Sequence, residues 1–282
     1  MAQLTKEAFQ ALYGTSGTTF PDNTSGDIGA NDVRAFGQDI SDTFSIGAGN
    51  IDTLYVIEDD FLLNMPDLLG AGTDNAGIWT GGTNGANSVI VGDTTGMNAT
   101  EKCQGVILLR TGTTTTGNAQ IATYPLTGFM FGTGSKLLNR WRVALPALSD
   151  GTDRFMVNFG FEDVVTVFGA EPSTAAYFKY SDNVNSGKWQ CVVKTATTTT
   201  TADSGVSPTA TVNQILAIEV AADSSYVKFF IDGAQVANIT TNIPTTSYVL
   251  TSYAMILKAL GTNTRGVAID YFSMSISRAT SR

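Results

Sequence analysis

The strongest constraint on the fold is a long succession of short β-type segments that begins at Leu54. The segments are rich in Val, Ile, Phe, Tyr and Thr, and they are separated by Gly, Asn, Asp and Ser. The clearest predicted strands are 88–91, 105–110, 129–131, 140–145, 154–161, 176–180, 189–194, 214–221, 226–231, 235–240, 247–258 and 267–277. Many short strands joined by turns predict a mainly β protein built as a sandwich.

Two segments indicate how the strands are arranged. The segment 140–145, RWRVAL, alternates large apolar residues with polar or small ones, which is typical of a strand that buries a single face. Asp232-Gly233 stands between two strand patterns and is the strongest local hairpin signal in the chain. The sequence therefore predicts antiparallel strands with one face in a core.

Three polar or glycine-rich tracts lie between predicted strands. The threonine tract 113–116 is interpreted as a hairpin end, and the tract 197–201 as a loop or a polar strand. The segment 132–136, GTGSK, lacks the spacing of a phosphate-binding loop and is also interpreted as a hairpin end. None of the three requires a functional explanation.

The beginning of the chain follows a helical spacing instead. Apolar residues recur at helical intervals in 6–13 and again in 28–40, on either side of a polar turn. Helices this short need a surface to pack on, either another copy of the chain or a larger assembly. Because a Gly-Ala-Gly break at 47–49 ends the pattern, we predict a helical arm, residues 1–50, and a β-sandwich, residues 51–282.

The net charge limits the partners. The formal charge is −9, from 16 Lys and Arg against 25 Asp and Glu, and such a surface repels the phosphates of nucleic acid. The first residues, MAQLTKE, lack the basic and apolar segments of a secretory signal. No apolar run approaches the roughly 20 residues that span a bilayer. We therefore expect synthesis in the cytoplasm, no nucleic-acid partner and no membrane insertion.

The residue types available for chemistry are few. The sequence contains no histidine, which excludes Ser-His-Asp and Cys-His sites and removes the commonest neutral metal ligand. Cys103 and Cys191 lie beside apolar strand residues without metal-binding spacing, so we predict that both are buried free thiols. No cofactor and no metal site are predicted from these residues.

Carboxylates are the remaining candidates for catalysis. The acidic clusters are Glu58-Asp59-Asp60 and Glu162-Asp163, whose neighbouring side chains point to opposite faces if they lie on strands. Glycosidases need two carboxyl groups about 5 to 10 Å apart on either side of the scissile bond. We therefore predict no catalytic residues and no enzymatic activity.

Trp79 is the candidate for ligand contact. It lies in a glycine-rich segment predicted as a loop, and an aromatic ring there can stack on a sugar face. The alternative is that Trp79 packs beneath its own loop. The other two tryptophans lie on strand patterns and are predicted to belong to the core.

Several motifs together resemble a known family. They are EDDF at 58–61, RWRV at 140–143, LSDGTDRF at 148–155, GFED at 160–163, VKFFIDG at 227–233, NIP at 242–244 and IDYFSMSI at 269–276. In this order they resemble the concanavalin A-like, or laminin G-like, jelly-roll domain of many phage and prophage proteins. The segment PDNTSGDI at 21–28, followed by VRAF at 33–36, is similar to an attachment segment near the start of phage fibre and other virion proteins.

The resemblance implies a jelly-roll sandwich preceded by an attachment arm. Lectins, glycan hydrolases and purely structural blocks all use this sandwich, so the fold does not choose among them. Hydrolases of this type are expected to carry Glu-x-Asp-x-Glu on one strand, and the sequence has no such string. Turn formation is the favoured interpretation of Asp150, Asp153 and Asp163; because related lectin-like domains hold calcium with loop oxygens, a candidate calcium set is the alternative.

These observations favour a non-enzymatic bacteriophage virion structural protein, of the capsid-decorating, head-fibre or tail-fibre type. We expect other virion proteins of capsid or tail as partners, contacted through residues 1–50. We also expect a homotrimer whose copies cover one another's apolar edges. The alternative is a receptor-binding tail fibre or lectin that recognises host-surface glycans, and a glycan-cleaving enzyme is the third candidate. The expected location is the virion.

Overall fold

The structure, a computed structural model, describes residues 54–59, 61, 74–76, 79–84, 89–92, 105–123, 128–163, 171–196 and 198–278. This part of the chain contains sixteen strands and a short 3-10 turn at Asn185–Gly187. The prediction of a mainly β sandwich is confirmed. The predicted helical arm and the Gly-Ala-Gly break at 47–49 lie outside the described residues. Among the residues described, no helix is long and apolar enough to cross a membrane.

The strands form two antiparallel sheets that pack face to face. In chain order they are β1 (Leu54–Asp59), β2 (Asp74–Ala76), β3 (Trp79–Asn84), β4 (Val89–Gly92), β5 (Ile107–Arg110), β6 (Gly117–Thr123), β7 (Ser135–Ala144), β8 (Phe155–Asp163), β9 (Ala175–Tyr180), β10 (Gln190–Thr195), β11 (Thr198–Asp203), β12 (Gln214–Val220), β13 (Val227–Ile231), β14 (Ala234–Ile239), β15 (Leu250–Lys258) and β16 (Gly266–Arg278). The first sheet has the order β14-β13-β12-β7-β16-β5-β4, with β1 beside β16. The second has the order β11-β10-β9-β8-β15-β6-β3-β2.

A continuous hydrophobic core lies between the sheets, and β7 shows how the alternation builds it. Trp141 and Val143 are buried while Arg140 is exposed, which confirms the alternation predicted for 140–145. The Trp141 ring centroid lies 4.6 Å from that of Phe272 in the first sheet and 5.7 Å from that of Trp79 in the second. Aromatic rings from both sheets therefore meet at the centre of the sandwich.

The predicted Asp-Gly hairpin is confirmed. Asp232 and Gly233 join β13 to β14 with φ of 50° and 81°, as a hairpin turn with two left-handed residues requires. The Asp232 Oδ1 accepts a hydrogen bond from the Ile215 N–H at 2.8 Å, and the Asp232 N–H donates to the Ile215 carbonyl at 2.9 Å. The hairpin end is thereby fixed to the beginning of β12.

Two segments interpreted as hairpin ends are connections between the sheets. Residues 113–116 follow β5 of the first sheet and precede β6 of the second. Residues 132–136 lead from an isolated bridge, Phe129 with Leu250 of the second sheet, into β7 of the first. The predicted strand 129–131 is reduced to that bridge. Turn residues allow a reversal, but they do not indicate which sheet the next strand joins.

Strands with many small or polar residues were the ones missed. β2, β3 and β6 were not predicted, and β3 begins at Trp79 where a loop was expected. β11 takes the second threonine tract, so the polar-strand interpretation of that tract is confirmed. Such sequences lack the run of large apolar residues that identifies a strand.

The cysteine prediction is confirmed for Cys191. This residue lies buried on β10 as a free thiol, and burial raises the pKa of the thiol above its usual range. A thiol with a raised pKa carries little thiolate and is a weak nucleophile. Cys103 lies outside the described residues.

Candidate functional site

A group of buried polar side chains lies on the face of the second sheet that points away from the core. It comprises Gln120 on β6, Asn158 and Glu162 on β8, and Thr251 and Tyr253 on β15. Their neighbours along each strand point into the core, so strand alternation places these five on the opposite face. The register sets Thr251 directly opposite Glu162. We name these five residues the outer-face cluster.

Glu162 is the acidic member of the outer-face cluster. Its side chain is buried, and Gln120 Nε2 donates a hydrogen bond to its Oε1. Burial raises the pKa of Glu162 well above its usual range, the negative charge of Asp163 raises it further, and the hydrogen bond from Gln120 offsets part of the rise. The neutral acid is therefore favoured over a wider range of pH than in an exposed glutamate.

Several atoms of the cluster have no hydrogen-bond partner in the part of the chain that the structure describes. They are Gln120 Oε1, both amide atoms of Asn158, Thr251 Oγ1 and the Tyr253 hydroxyl. Burial raises the pKa of Tyr253. The amide of Asn158 lies near the Tyr253 hydroxyl and offsets part of this rise, but the two groups are not placed for a hydrogen bond. Because buried polar groups normally have a partner, the cluster can bind water or a polar ligand.

The cluster has one of the two groups that glycoside hydrolysis needs. A buried neutral carboxyl such as Glu162 can act as a general acid, but a second carboxyl must lie across the substrate. Asp163 is the next residue on the strand, points the other way and accepts a hydrogen bond from the Ser173 N–H at 3.1 Å. Glu171 is paired with Lys179. Glu162 carries the only carboxyl group among the described outer-face positions of β8 and β9.

We expect the substitution Glu162→Gln to change how stability depends on pH. The pKa of Glu162 is raised in the folded protein, so the folded state binds this proton more tightly than the unfolded chain does. The stabilisation is complete below the unfolded pKa of about 4.3 and is lost as the pH rises through the folded pKa. Thermal midpoints measured from about pH 4 to pH 9 should therefore fall with pH more steeply in the wild type than in the variant.

Asp203→Asn is the matched control, because the pKa of Asp203 is shifted in the opposite direction. Hydrogen bonds from the Gly205 N–H, Asn185 and Lys188 lower it to about 2. Its contribution is present above the unfolded pKa of about 3.9 and is lost only as the pH falls through the folded one. Wild-type and Glu162→Gln curves that stay parallel above pH 4 would contradict a buried neutral acid.

The structure does not bring the candidate calcium set together. Asp150 and Asp153 lie in the loop before β8, whereas Asp163 is the last residue of that strand, so the three carboxylates do not form one set of ligands. The described residues contain no group of three or more His, Cys, Asp or Glu side chains that could hold a metal. The Asp150 Oδ1 accepts hydrogen bonds from the backbone N–H of Thr152 at 2.7 Å and of Asp153 at 2.8 Å, which confirms the prediction of a turn-forming role for this residue.

Trp79, the candidate for ligand contact, belongs to the core of the sandwich. Its side chain is 1% exposed, and its ring centroid lies 4.8 Å from that of Phe272. The indole Nε1 donates a hydrogen bond to the Asp59 Oδ2 at 2.6 Å. In this position the ring has no exposed face on which a sugar could stack. Trp79 is a packing residue of the core.

Sequence reasoning missed most of the outer-face cluster. Glu162 was noticed only as part of an acidic pair, and Gln120, Asn158 and Tyr253 were not noticed at all. One signal was available: Asn118 and Gln120 stand two apart among small residues, a spacing that puts two amides on one face of a strand. This signal is weak because the segment 117–123 lacks the run of large apolar residues that identifies a strand.

The comparisons with known proteins agree with this architecture. The model of the family described as "SO2946-like, C-terminal domain" matches residues 102–270, more than half of the chain. No curated protein matches the sequence. The protein of unknown function SO2946 from Shewanella oneidensis MR-1 is similar in structure, at 12% identity and a TM-score of 0.54, over 82% of this chain and 89% of that chain.

Two further solved structures are similar at this level. The carbohydrate recognition domain of Emp47p is 11% identical with a TM-score of 0.51, over 81% of this chain and 98% of that chain. The endo-1,3-beta-glucanase from Streptomyces sioyaensis is 13% identical with a TM-score of 0.52, over 80% of this chain and 97% of that chain. At such identities the likeness shows the fold alone, which is the predicted concanavalin A-like jelly roll.

Proposed function

The chain belongs to the SO2946-like C-terminal domain family, and we propose that it is a non-enzymatic virion structural protein, decorating or fibre-forming. In this proposal the lectin-like sandwich is a rigid body displayed on the particle, and residues 1–50 anchor it. Copies of the chain assemble as a trimer, so that several weak contacts combine into durable attachment.

One observation carries the proposal: the described outer-face positions of β8 and β9 hold a single carboxyl group, and that group is buried. Glu162 has no second carboxyl on the described outer-face positions of β8 and β9, where the side chains of β9 are Ala175, Tyr177 and Lys179. A structural protein that acts through its contacts does not need a second carboxyl group on this face. The observation weighs against a glycan-cleaving enzyme, because acid–base hydrolysis uses a pair of carboxyl groups.

The rival proposal is a receptor-binding fibre or lectin that grips a host glycan. Its support is the set of buried polar atoms without a described partner in the outer-face cluster. Its weakness is that the aromatic rings that the structure describes on this face, Tyr177 and Tyr253, are 2% and 0% exposed and offer no surface to a sugar. The structural role is therefore the better supported of the two.

We expect the full chain to co-sediment with virus particles through a density gradient, and a variant without residues 1–50 to remain in the soluble fraction. The physical reason is that the arm supplies the contact with the particle while the sandwich supplies none of it. Quantitative mass spectrometry of the gradient fractions measures both. Arg140→Gln, a change of an exposed side chain of the sandwich, is the control and should sediment as the wild type does.

Two results would contradict the proposal. The first is equal distribution of the full and the shortened chain, or absence of both from particles. The second is release of reducing ends from a panel of polysaccharides by the wild type and not by Glu162→Gln. That second result would assign the protein to the glycan-cleaving enzymes, with Glu162 as the acid.

A further inference from the structure

A cavity of about 340 Å³ lies at one end of the first sheet, away from the outer-face cluster. The described residues that line it are Leu108, Arg110, Pro146, Ala147, Thr264, Arg265 and Gly266. Two of these residues are arginines and none is acidic. A lining of this kind is unexpected in a chain with a net charge of −9, so its charge is a local property of the cavity.

Arg265 is held in place from both its backbone and its side chain. Its N–H donates to the Thr111 Oγ1 at 3.0 Å, and its carbonyl accepts a hydrogen bond from the Thr111 N–H at 2.8 Å. The guanidinium Nη2 donates to the Asp153 Oδ2 at 3.0 Å and lies 3.7 Å from the Asp150 Oδ2. The loop before β16 is thereby tied to the end of β5, and the guanidinium group is fixed at the cavity.

Asp153 is itself fixed, which completes the support of Arg265. The Asn263 N–H donates to its Oδ1 at 3.1 Å, and Asn263 Nδ2 donates to its Oδ2 at 2.6 Å. The hydrogen bond from the Asn263 side chain lowers the pKa of Asp153 most, so the carboxylate is ionised at neutral pH. An arginine oriented in this way loses little conformational freedom when it binds an anion.

Arg265 keeps hydrogen-bonding capacity after these contacts. A guanidinium has five N–H donors, and the Nε of Arg265 is buried without an acceptor in the part of the chain that the structure describes. Two donors in a planar fork match the two oxygens of a carboxylate. Arg110 brings a second positive charge to the same cavity. The charged wall therefore suits an anion with two oxygens in one plane.

The remaining walls suit a compact carbon body. Leu108 is buried and packs with Val106, Ala144 and Ala268 in a small apolar cluster on the outer side of the first sheet. Pro146 and Ala147 add further apolar surface. The volume of about 340 Å³ is at the small end of the range for ligand sites, roughly 300 to 1,000 Å³, and holds one ring with its substituents.

We propose that this cavity binds a small organic carboxylate, with the carboxylate at Arg110 and Arg265 and a single compact ring on Leu108 and Pro146. Such a ligand is either an acidic monosaccharide or an aromatic acid, which share this chemistry. The site is separate from the outer-face cluster and goes beyond the structural role proposed above. Because the attraction is between charges near the surface, affinity falls as ionic strength rises.

The test is titration calorimetry on the full chain with four probes: glucuronate, benzoate, glucose and inorganic phosphate. Saturable binding of glucuronate or benzoate, weakened by salt and at least about tenfold tighter than that of glucose and of phosphate, is the expected result. Glucuronate and benzoate distinguish the sugar from the aromatic source. Arg110→Gln should weaken the binding about tenfold, and Arg140→Gln, an exposed arginine of the same sheet outside the cavity, should leave it unchanged.

A second variant separates loss of the site from loss of the fold. Arg265→Gln removes the partner of Asp153 and can unfold the loop, whereas Ala147→Leu fills the cavity and leaves both arginines in place. Ala147→Leu should abolish binding with an unchanged circular dichroism spectrum. Absence of saturable binding overturns the proposal, as does binding of glucose or phosphate as tight as that of the carboxylates. Full binding by Arg110→Gln or by a folded Ala147→Leu overturns it equally.

Discussion

Replacing Trp141 by alanine should lower the free energy of unfolding by about 3 to 5 kcal/mol, the usual cost of deleting a large aromatic side chain from a core. Trp141 is 1% exposed and contacts rings of both sheets, with centroid distances of 5.7 Å to Trp79, 5.9 Å to Phe159 and 4.6 Å to Phe272. Its loss leaves a cavity where the sheets meet. Urea denaturation measures the change, and the thermal midpoint should fall by about 10 °C for a domain of this size.

The neighbouring residue provides the control for this prediction. Arg140 is exposed on the opposite face of the same strand, so Arg140→Ala should change the free energy of unfolding by no more than about 0.5 kcal/mol. The comparison tests the alternation of β7 directly, because the two positions differ by one residue. Similar losses in both variants would mean that β7 does not separate a core face from a solvent face.

Adding one methyl group at Gly160 should destabilise the protein by about 3 kcal/mol, at the upper end of the usual cost of overpacking. A Cβ at this position would lie 2.3 Å from the Ala176 carbonyl oxygen, 2.7 Å from the Tyr177 Cα and 2.8 Å from the Ile218 Cδ1. Two of these atoms are backbone and cannot rotate away. The φ of +154° adds strain for any residue with a side chain. Chemical denaturation of Gly160→Ala measures the loss.

Gly151→Ala is the matched control, because a Cβ at Gly151 meets nothing within 4 Å. It should leave stability within about 0.5 kcal/mol of the wild type. Gly160 lies between Tyr177 of β9 and Tyr253 of β15 in the register, so its replacement should also disturb the outer-face cluster. If Gly160→Ala proved as stable as Gly151→Ala, the close approach of β8 and β9 at this point would be wrong.

Much of the fold was predictable because its signals are local. The alternation of 140–145 depends on neighbouring residues along one strand, and the Asp-Gly hairpin depends on the φ that two adjacent residues adopt. Both predictions were confirmed. The prediction that Trp79 lies in a loop was wrong, because its glycine- and threonine-rich neighbours resemble a turn. The burial of Trp79 depends on rings that lie far away in the sequence.

The candidate site was much less predictable, because its members come from distant parts of the chain. Gln120 and Glu162 are 42 residues apart, and the strand that carries Thr251 is placed beside Glu162 only by the register of β15 with β8. The three aspartates considered for calcium show the converse. They are close in sequence, but a nine-residue strand carries Asp163 away from the other two.

By itself the sequence determined the class of the protein, its alternating strands, its free thiol at Cys191 and the absence of histidine chemistry. Tertiary structure decided which sheet each strand joins, which polar groups are buried together, and that two arginines and several apolar residues line one cavity. The physical reason is range. Strand patterns and turns arise from neighbouring residues, whereas pKa shifts and cavities arise from burial, which depends on strands paired across the whole chain.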